Sequence, residues 1–288
     1  MLGAGTVLHL GMRSIAVTGA TGAIGGRVAR LLGSAVDRLV VRDPARAPRI
    51  EGAPSIRTAS YADGAAMRAA LEGADVLLLV SGAEAADRLE QHRTAVRAAA
   101  EAGVGHVVYT SFDGAAADAD FTLGRDHWHT EQAIRASGMR WTFLRDSFYL
   151  DFFPMFADEH GVIRGPAGDG RVAAVARADV ADAAAAVLRD PDAHRDTTYR
   201  LTGPEAISFP EAAVRMTRAL GRPYSFVRET LEEAYASRRA FTTEQWQLDA
   251  WVSTYTAIGS DELAATTEDV AHLTGHAPRT LEEALAGS

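Results

Sequence analysis

One stretch limits the fold more than any other. In Ile15-Ala16-Val17-Thr18-Gly19-Ala20-Thr21-Gly22-Ala23-Ile24-Gly25-Gly26 an apolar run passes through a glycine triplet into an amphipathic segment. The spacing Gly19-x-x-Gly22-x-x-Gly25 suits a tight strand-to-helix turn. The first glycine allows the turn, the second lets backbone approach a pyrophosphate, and the third lets the helix pack closely on the strand. Ile24, Val28, Leu31 and Leu32 give the following helix an apolar face. The strand before and the helix after separate a dinucleotide loop from a merely structural turn. The backbone of Gly19, Ala20, Thr21, Gly22, Ala23, Ile24 and Gly25 is therefore expected to present free amides to phosphate.

The rest of the chain agrees with such a beginning. Short apolar runs at Ser14–Thr18, Arg38–Val41, Val76–Val80, His106–Ser111 and Arg140–Leu144 read as strands, with a further short one at Ile56–Thr58. Helical stretches begin near Ile24, Ala65, Ala85 and Asp126, and Asp179–Leu188 is an alanine-rich helix. Alternating elements of this kind predict an α/β fold, a Rossmann-like doubly wound parallel sheet covered on both faces. Residues 12–145 form the dinucleotide-binding domain, with later segments returning to it. Residues 146–288, punctuated by Pro204, Pro210, Gly221 and Pro223, form mainly a smaller C-terminal α/β lobe beside the carboxyl edge of the sheet. Residues 1–11 lack the basic flank and cleavage site of a secretory signal and read as a disordered extension, with Met12 as the natural start.

Composition removes whole classes of chemistry. The sequence contains no cysteine and no lysine, so all 29 basic residues are arginine. Thiolate nucleophiles, iron–sulfur clusters, Schiff bases, a Walker-A loop and a catalytic Tyr-x-x-x-Lys pair are excluded together. A formal charge of −9 argues against nucleic acid as a partner. The best candidate for a membrane span, Val76–Val80, has strand length and falls far short of the roughly 20 residues required. A cytoplasmic protein fits the absence of cysteine.

The nucleotide is chosen at the end of the second strand, where the sequence reads Val40-Val41-Arg42-Asp43. An acidic residue directly after the strand would favour NAD; Arg42 in that place can pair with a 2′-phosphate. NADP(H) is preferred, with NAD(H) kept open by Asp43.

Further motifs follow in order: V-R-D-P-A-R after the second strand, Y-T-S at Tyr109–Ser111, D-H-W-H-T-E at Asp126–Glu131, G-P-A-G-D-G at Gly165–Gly170, Y-R-L-T-G-P at Tyr199–Pro204 and L-T-G-H at Leu273–His276. With the glycine loop, they resemble the NmrA-like atypical short-chain dehydrogenase/reductases, and most closely the metal- and flavin-free NAD(P)H:quinone oxidoreductases. The resemblance runs over nearly the whole chain from Met12. It implies that Gly19–Ile24 hold the pyrophosphate, Arg42 the 2′-phosphate, and that Ser81 and Gln91 lie along the cofactor. It places Ser111 and the segment Arg145–Tyr149, Ser147 included, beside the nicotinamide. Substrate would lie between Phe148, Tyr149, the turn with Gly168 and Asp169, and the C-terminal lobe.

Where the classical superfamily carries Tyr-x-x-x-Lys this sequence has His127-x-x-x-Glu131. A quinone tolerates that loss, because it is already electrophilic and its reduction yields an aromatic hydroquinone. His127 is a candidate proton donor with Glu131 one helical turn later orienting it. Equally, both residues suit a helix-start network, with Asp126 as N-cap and Glu131 neutralising an arginine. His127 and His129, two apart on a helix, face apart and suggest no metal. Tyr149 is the other candidate donor. Phe148, Phe152, Phe153 and Phe156 suit either a planar substrate or the lobe's core, and Trp246 and Trp251 a lid. The expected activity is hydride transfer from NADPH to a quinone or enone, with no metal, flavin, nucleic acid or membrane involved; a homo-oligomer is compatible with it. The competing reading is a redox sensor that binds NADP(H) without turnover and acts through a protein partner.

Overall fold

The computed structural model describes residues 13–287, so the expected N-terminal extension and start at Met12 lie outside the described residues. The chain runs β1 (Ile15–Thr18), α1 (Ala23–Leu32), β2 (Val36–Val41), β3 (Ser55–Thr58), α2 (Gly64–Leu71), β4 (Val76–Leu79) and α3 (Arg88–Glu101). It continues with β5 (His106–Phe112), α4 (Thr122–Ala136), β6 (Arg140–Asp146), β7 (Val162–Gly165), β8 (Arg171–Val172), α5 (Arg177–Arg189) and β9 (Thr197–Leu201). The last third contributes β10 (Ile207–Ser208), α6 (Phe209–Leu220), β11 (Ser225–Arg228), α7 (Leu231–Arg238), α8 (Gln245–Gly259), α9 (Asp269–Thr274) and α10 (Leu281–Ala286).

Seven strands form one parallel sheet in the order β3-β2-β1-β4-β5-β6-β9. Every residue of β1, β4 and β5 is buried. That is why these strands read as apolar runs rather than as alternating patterns: both faces are covered. On one face α1, α5 and α9 pack through Val28, Val180, Val187 and Val270 against Val17 and Leu78. On the other, α2, α3 and α4 pack through Met67, Leu71, Val96 and Ile134 against Leu77, Leu79 and Phe143. The strand order reverses between β1 and β4, and at such a switch point the carboxyl ends splay to leave a crevice.

A separate apolar cluster that includes Phe153, Ile163, Phe209, Met216, Tyr255 and Ile258 forms the core of a lobe beside the sheet. It contains the parallel pair β7–β11 and the antiparallel pair β8–β10. The strand β9 and the helices α5 and α9 lie with the seven-stranded sheet. Among the described residues no helix is long and apolar enough to cross a membrane.

Three of the boundaries that differ from expectation bear on the site. Helix α4 starts at Thr122, a turn before the expected Asp126, so Asp126 is no N-cap but an interior residue paired with Arg88 at 3.3 Å. Helix α3 starts at Arg88 rather than near Ala85, leaving 81–87 as a loop at the rim of the crevice. Strand β6 runs two residues past Leu144, because Arg145 and Asp146 keep pairing with Ser111 and Phe112 of β5.

Candidate active site

The glycine loop has the geometry its spacing predicts. Gly19 takes a positive φ of +63°, and a Cβ there would stand 2.9 Å from that of Val80. A Cβ on Gly25 would lie 2.5 Å from the Gly19 carbonyl oxygen and 2.7 Å from that of Thr18, so only glycine lets α1 approach β1 this closely. Helix α1 has Gly22 as N-cap, with no side-chain cap and no acidic residue in its first turn. Its first N–H groups therefore have neither an intrahelical nor a side-chain partner, the arrangement that suits a phosphate. Thr21, Gly22 and Ala23 are exposed there, whereas Ala20, Ile24 and Gly25 are buried beneath them.

A cavity of about 420 Å³ opens from this loop along the switch point, lined among others by Gly19, Thr21, Gly22, Arg42, Ser81 and Gln91. The Arg42 guanidinium is exposed and makes no hydrogen bond or ion pair among the described residues. The Asp43 carboxylate is occupied: it accepts from the Ala45 N–H at 3.0 Å and caps the turn Pro44–Arg46. The Ser81 N–H donates to Thr110 Oγ1 at 2.8 Å, and Gln91 Nε2 donates to Asp87 Oδ1 at 2.7 Å.

A second cavity of about 320 Å³ shares Ser81, Gly82 and Glu84 with the first, so the two form one cleft. Its far wall is aromatic. Phe112, Phe121 and Phe148 pack together at centroid separations of 4.9 to 5.1 Å, joined by Tyr149, Phe152 and Phe156. Phe153 points instead into the core of the lobe, 1 % exposed. Trp251 in α8 donates from Nε1 to Glu84 at 3.2 Å, tying the lobe to the rim loop. Trp246, half-buried in the same helix, lines neither cavity of the cleft.

A polar network stands against and behind this cavity. His127 is buried, with Arg88 Nη2 at 2.9 Å from Nε2 and the Tyr109 hydroxyl at 2.9 Å from Nδ1. An arginine can only donate, so Nε2 accepts and the ring proton sits on Nδ1. Burial, and next the charge of Arg88, hold the imidazole well below its usual range, and it is neutral. Glu131 does not orient it. That carboxylate is taken by Arg145 in a bidentate pair at 2.8 and 2.7 Å and by the Ser111 hydroxyl at 2.6 Å. Of the two readings of the His127-x-x-x-Glu131 pattern, the arginine network is the one the fold realises. The Tyr149 hydroxyl donates to Asp146 Oδ2 at 2.9 Å, while Asp146 Oδ1 and Ser147 Oγ, both buried, have no partner among the described residues. Burial pushes both Asp146 and Tyr149 well above their usual ranges.

The expected cofactor and substrate residues thus converge, with two exceptions. Arg145 supports the site from behind Glu131 and lines neither cavity. Gly168 and Asp169 lie outside the cleft; Asp169 is exposed and ion-paired to Arg228. The glycines of that turn serve packing: side chains at Gly165 and Gly170 would collide with Tyr255 and with backbone at Ile258. Arg88, Phe112 and Phe121 went unrecognised in the sequence, and Asp146 was included only as part of the segment Arg145–Tyr149, with no role of its own. For Asp146 the signal was its place at the carboxyl end of a buried strand.

The profile of the NAD(P)H-binding family matches residues 19–191. The chain belongs to this family. Over 280 residues it is 32 % identical to quinone oxidoreductase 2 of Escherichia coli, covering 94 % of this chain and 97 % of that protein. It is 33 % identical to the NAD(P)H azoreductase of Xenophilus azovorans, over 93 % of this chain and 96 % of the relative. The crystal structure of the Escherichia coli quinone oxidoreductase with NADPH superimposes with a TM-score of 0.85, covering 95 % of this chain and 99 % of that one. That of Citrobacter sp. triphenylmethane reductase with NADP(H), 30 % identical, superimposes at 0.83 over 95 % and 99 %. The resemblance drawn from the motifs therefore holds across the fold, and this member of the NAD(P)H-binding family is an NAD(P)H-dependent oxidoreductase.

Proposed function

We propose that this oxidoreductase prefers NADPH and reduces a flat conjugated acceptor, a quinone or related enone, seated in the aromatic cavity. The observation that carries this reading is the single cleft. Phosphate-binding backbone lies at one end, an aromatic chamber at the other, and Ser81, Gly82 and Glu84 border both. Preference for NADPH is supported by the exposed Arg42 guanidinium, where a 2′-phosphate would pair, and by the capping role that occupies Asp43. A bound reduced nicotinamide supplies a hydride. The chain's own contribution is orientation and exclusion of water: the triad Phe112, Phe121 and Phe148 offers edges and faces for a planar ring. His127, neutral and held at both nitrogens, fixes Arg88 under the chamber rather than giving up a proton itself. Tyr149, at the chamber wall, acts with its partner Asp146.

The relatives are reductases of quinones and azo compounds, which supports turnover over a sensor that only binds the dinucleotide. The test is oxidation of NADPH and NADH with a panel of benzoquinones and naphthoquinones, beside thermal shifts with each nucleotide. Turnover preferring NADPH is expected. A clear thermal shift without turnover on any acceptor would favour the sensor.

A further inference from the structure

Four carboxylic side chains are almost completely buried: Asp113, Glu131, Asp146 and Asp179, all between 0 and 2 % exposed. Three have an arginine as counter-ion: Arg200 for Asp113 at 2.7 Å, Arg145 for Glu131 at 2.7 Å, and Arg279 for Asp179. Asp146 has none among the described residues. Its Oδ2 accepts from Tyr149, and Oδ1 has no partner although the residue lines the acceptor chamber. A buried carboxylate without a counter-ion is far more costly than a buried carboxylic acid that accepts one hydrogen bond and retains a proton, whose one unmet donor is satisfied when an acceptor oxygen arrives.

We propose that Asp146 is the catalytic acid of this oxidoreductase, donating the proton on Oδ1 to the acceptor oxygen that becomes negative on reduction. The inference rests on the reductase reading above. The acceptor gains a hydride, with its two electrons, from the reduced nicotinamide, which is left oxidised. The carbonyl π bond opens, the acceptor oxygen forms a bond to the proton of Asp146, and the Oδ1–H bond breaks. The carboxylate left behind is stabilised by the Tyr149 hydroxyl on Oδ2 and is reprotonated by solvent through the open cleft.

The surroundings favour the protonated resting state. Burial raises the carboxyl first, and the charge of Asp113 raises it further against the opposing hydrogen bond from Tyr149. Asp113 is itself held by Arg200 on β9. The arginines that act on Tyr149, Arg177 of α5 and Arg88 of α3, are themselves ion-paired with Asp151 and Asp126, and His127 of α4 is neutral. A neutral carboxyl in an apolar site that donates a hydrogen bond to a developing oxyanion is a known solution to the same problem on other folds.

The test compares two acceptors. A quinone needs a proton with its hydride; a triarylmethyl cation takes hydride at its central carbon and needs none. In Asp146→Asn, turnover of benzoquinone is expected to fall by about a hundredfold or more, and that of the cation by less than about threefold. Tyr149→Phe should show the same asymmetry in smaller measure. Independently of turnover, the difference between wild-type and Asp146→Asn carboxyl carbon-13 spectra should show a protonated Asp146 at neutral pH in the protein without nucleotide. Equal losses on both acceptors, no loss on either, or an ionised Asp146 at neutral pH would each overturn the inference. Wild-type protein inactive on both acceptors would overturn the reductase reading and this inference with it.

Discussion

Replacing Gly25 by alanine sets two effects of opposite sign against each other. Alanine is the better helix former by about 1 kcal/mol, and Gly25 lies in the first turn of α1, so local propensity alone predicts stabilisation. Against this, the new Cβ would sit 2.5 Å from the Gly19 oxygen, 2.7 Å from the Gly19 carbonyl carbon and 2.7 Å from the Thr18 oxygen. All three are backbone atoms and cannot swing away. Ordinary contact begins near 3.4 Å, so α1 and the loop must separate by roughly 3.4 − 2.5 = 0.9 Å. Overpacking of this kind costs about 1 to 3 kcal/mol, leaving a net destabilisation of about 0 to 2 kcal/mol. The telling change is therefore in binding. A displacement near 1 Å in a positioning element costs on the order of a hundredfold, and NADPH affinity is expected to fall by that factor. Isothermal titration with NADPH measures it. Gly22→Ala, whose Cβ would meet only the Gly19 oxygen at 3.3 Å, should leave folding stability nearly unchanged while still weakening NADPH, because its Cβ stands where the pyrophosphate must approach the backbone. NADPH binding to Gly25→Ala within about threefold of wild type would refute the reasoning, because the close approach would then not set the phosphate site.

Arg42→Glu should weaken NADPH by about 10- to 100-fold and NADH by less than about threefold in fluorescence titrations; equal losses would remove Arg42 from the 2′-phosphate. Phe148→Ala should raise KM for a naphthoquinone about tenfold with little change in kcat, since it removes one wall of the aromatic triad. Burial lowers His92 to about 3 and His106 to about 4, below an unfolded value near 6.5. Below that pH the unfolded chain binds more protons, so stability is full above about 6.5 and falls on acidification toward about 3 for His92. Urea unfolding between about pH 6.5 and 5 should show His92→Gln with a slope shallower by up to about 1.4 kcal/mol per pH unit; an unchanged slope would mean His92 titrates normally.

The sheet and the phosphate loop were legible because both rest on local rules. Parallel strands buried on two faces give continuous apolar runs such as Val76–Val80, and a close helix–strand contact admits only glycine at position 25. The place of Arg42 at the cleft was legible for the same reason, as a position counted from the end of β2. The polar network was less so. His127 and Glu131 share a helix, and spacing alone allowed them to pair; what separated them was Arg145 on the neighbouring strand, taking Glu131, and Arg88 on α3, taking His127. The role proposed for Asp146 rests on the absence of a counter-ion among the described residues, which only the packed structure makes visible. Gly168 and Asp169 carried a motif whose glycines answer to the lobe's packing against Tyr255 and α8, not to the cleft.

The most direct test of the account is the fate of the hydrogen on C4 of the reduced nicotinamide. With NADPH deuterated at that carbon and a triarylmethyl cation as acceptor in ordinary water, the leuco product should carry deuterium at its central carbon. Product reduced at the same rate but without the label would contradict direct hydride transfer within one cleft.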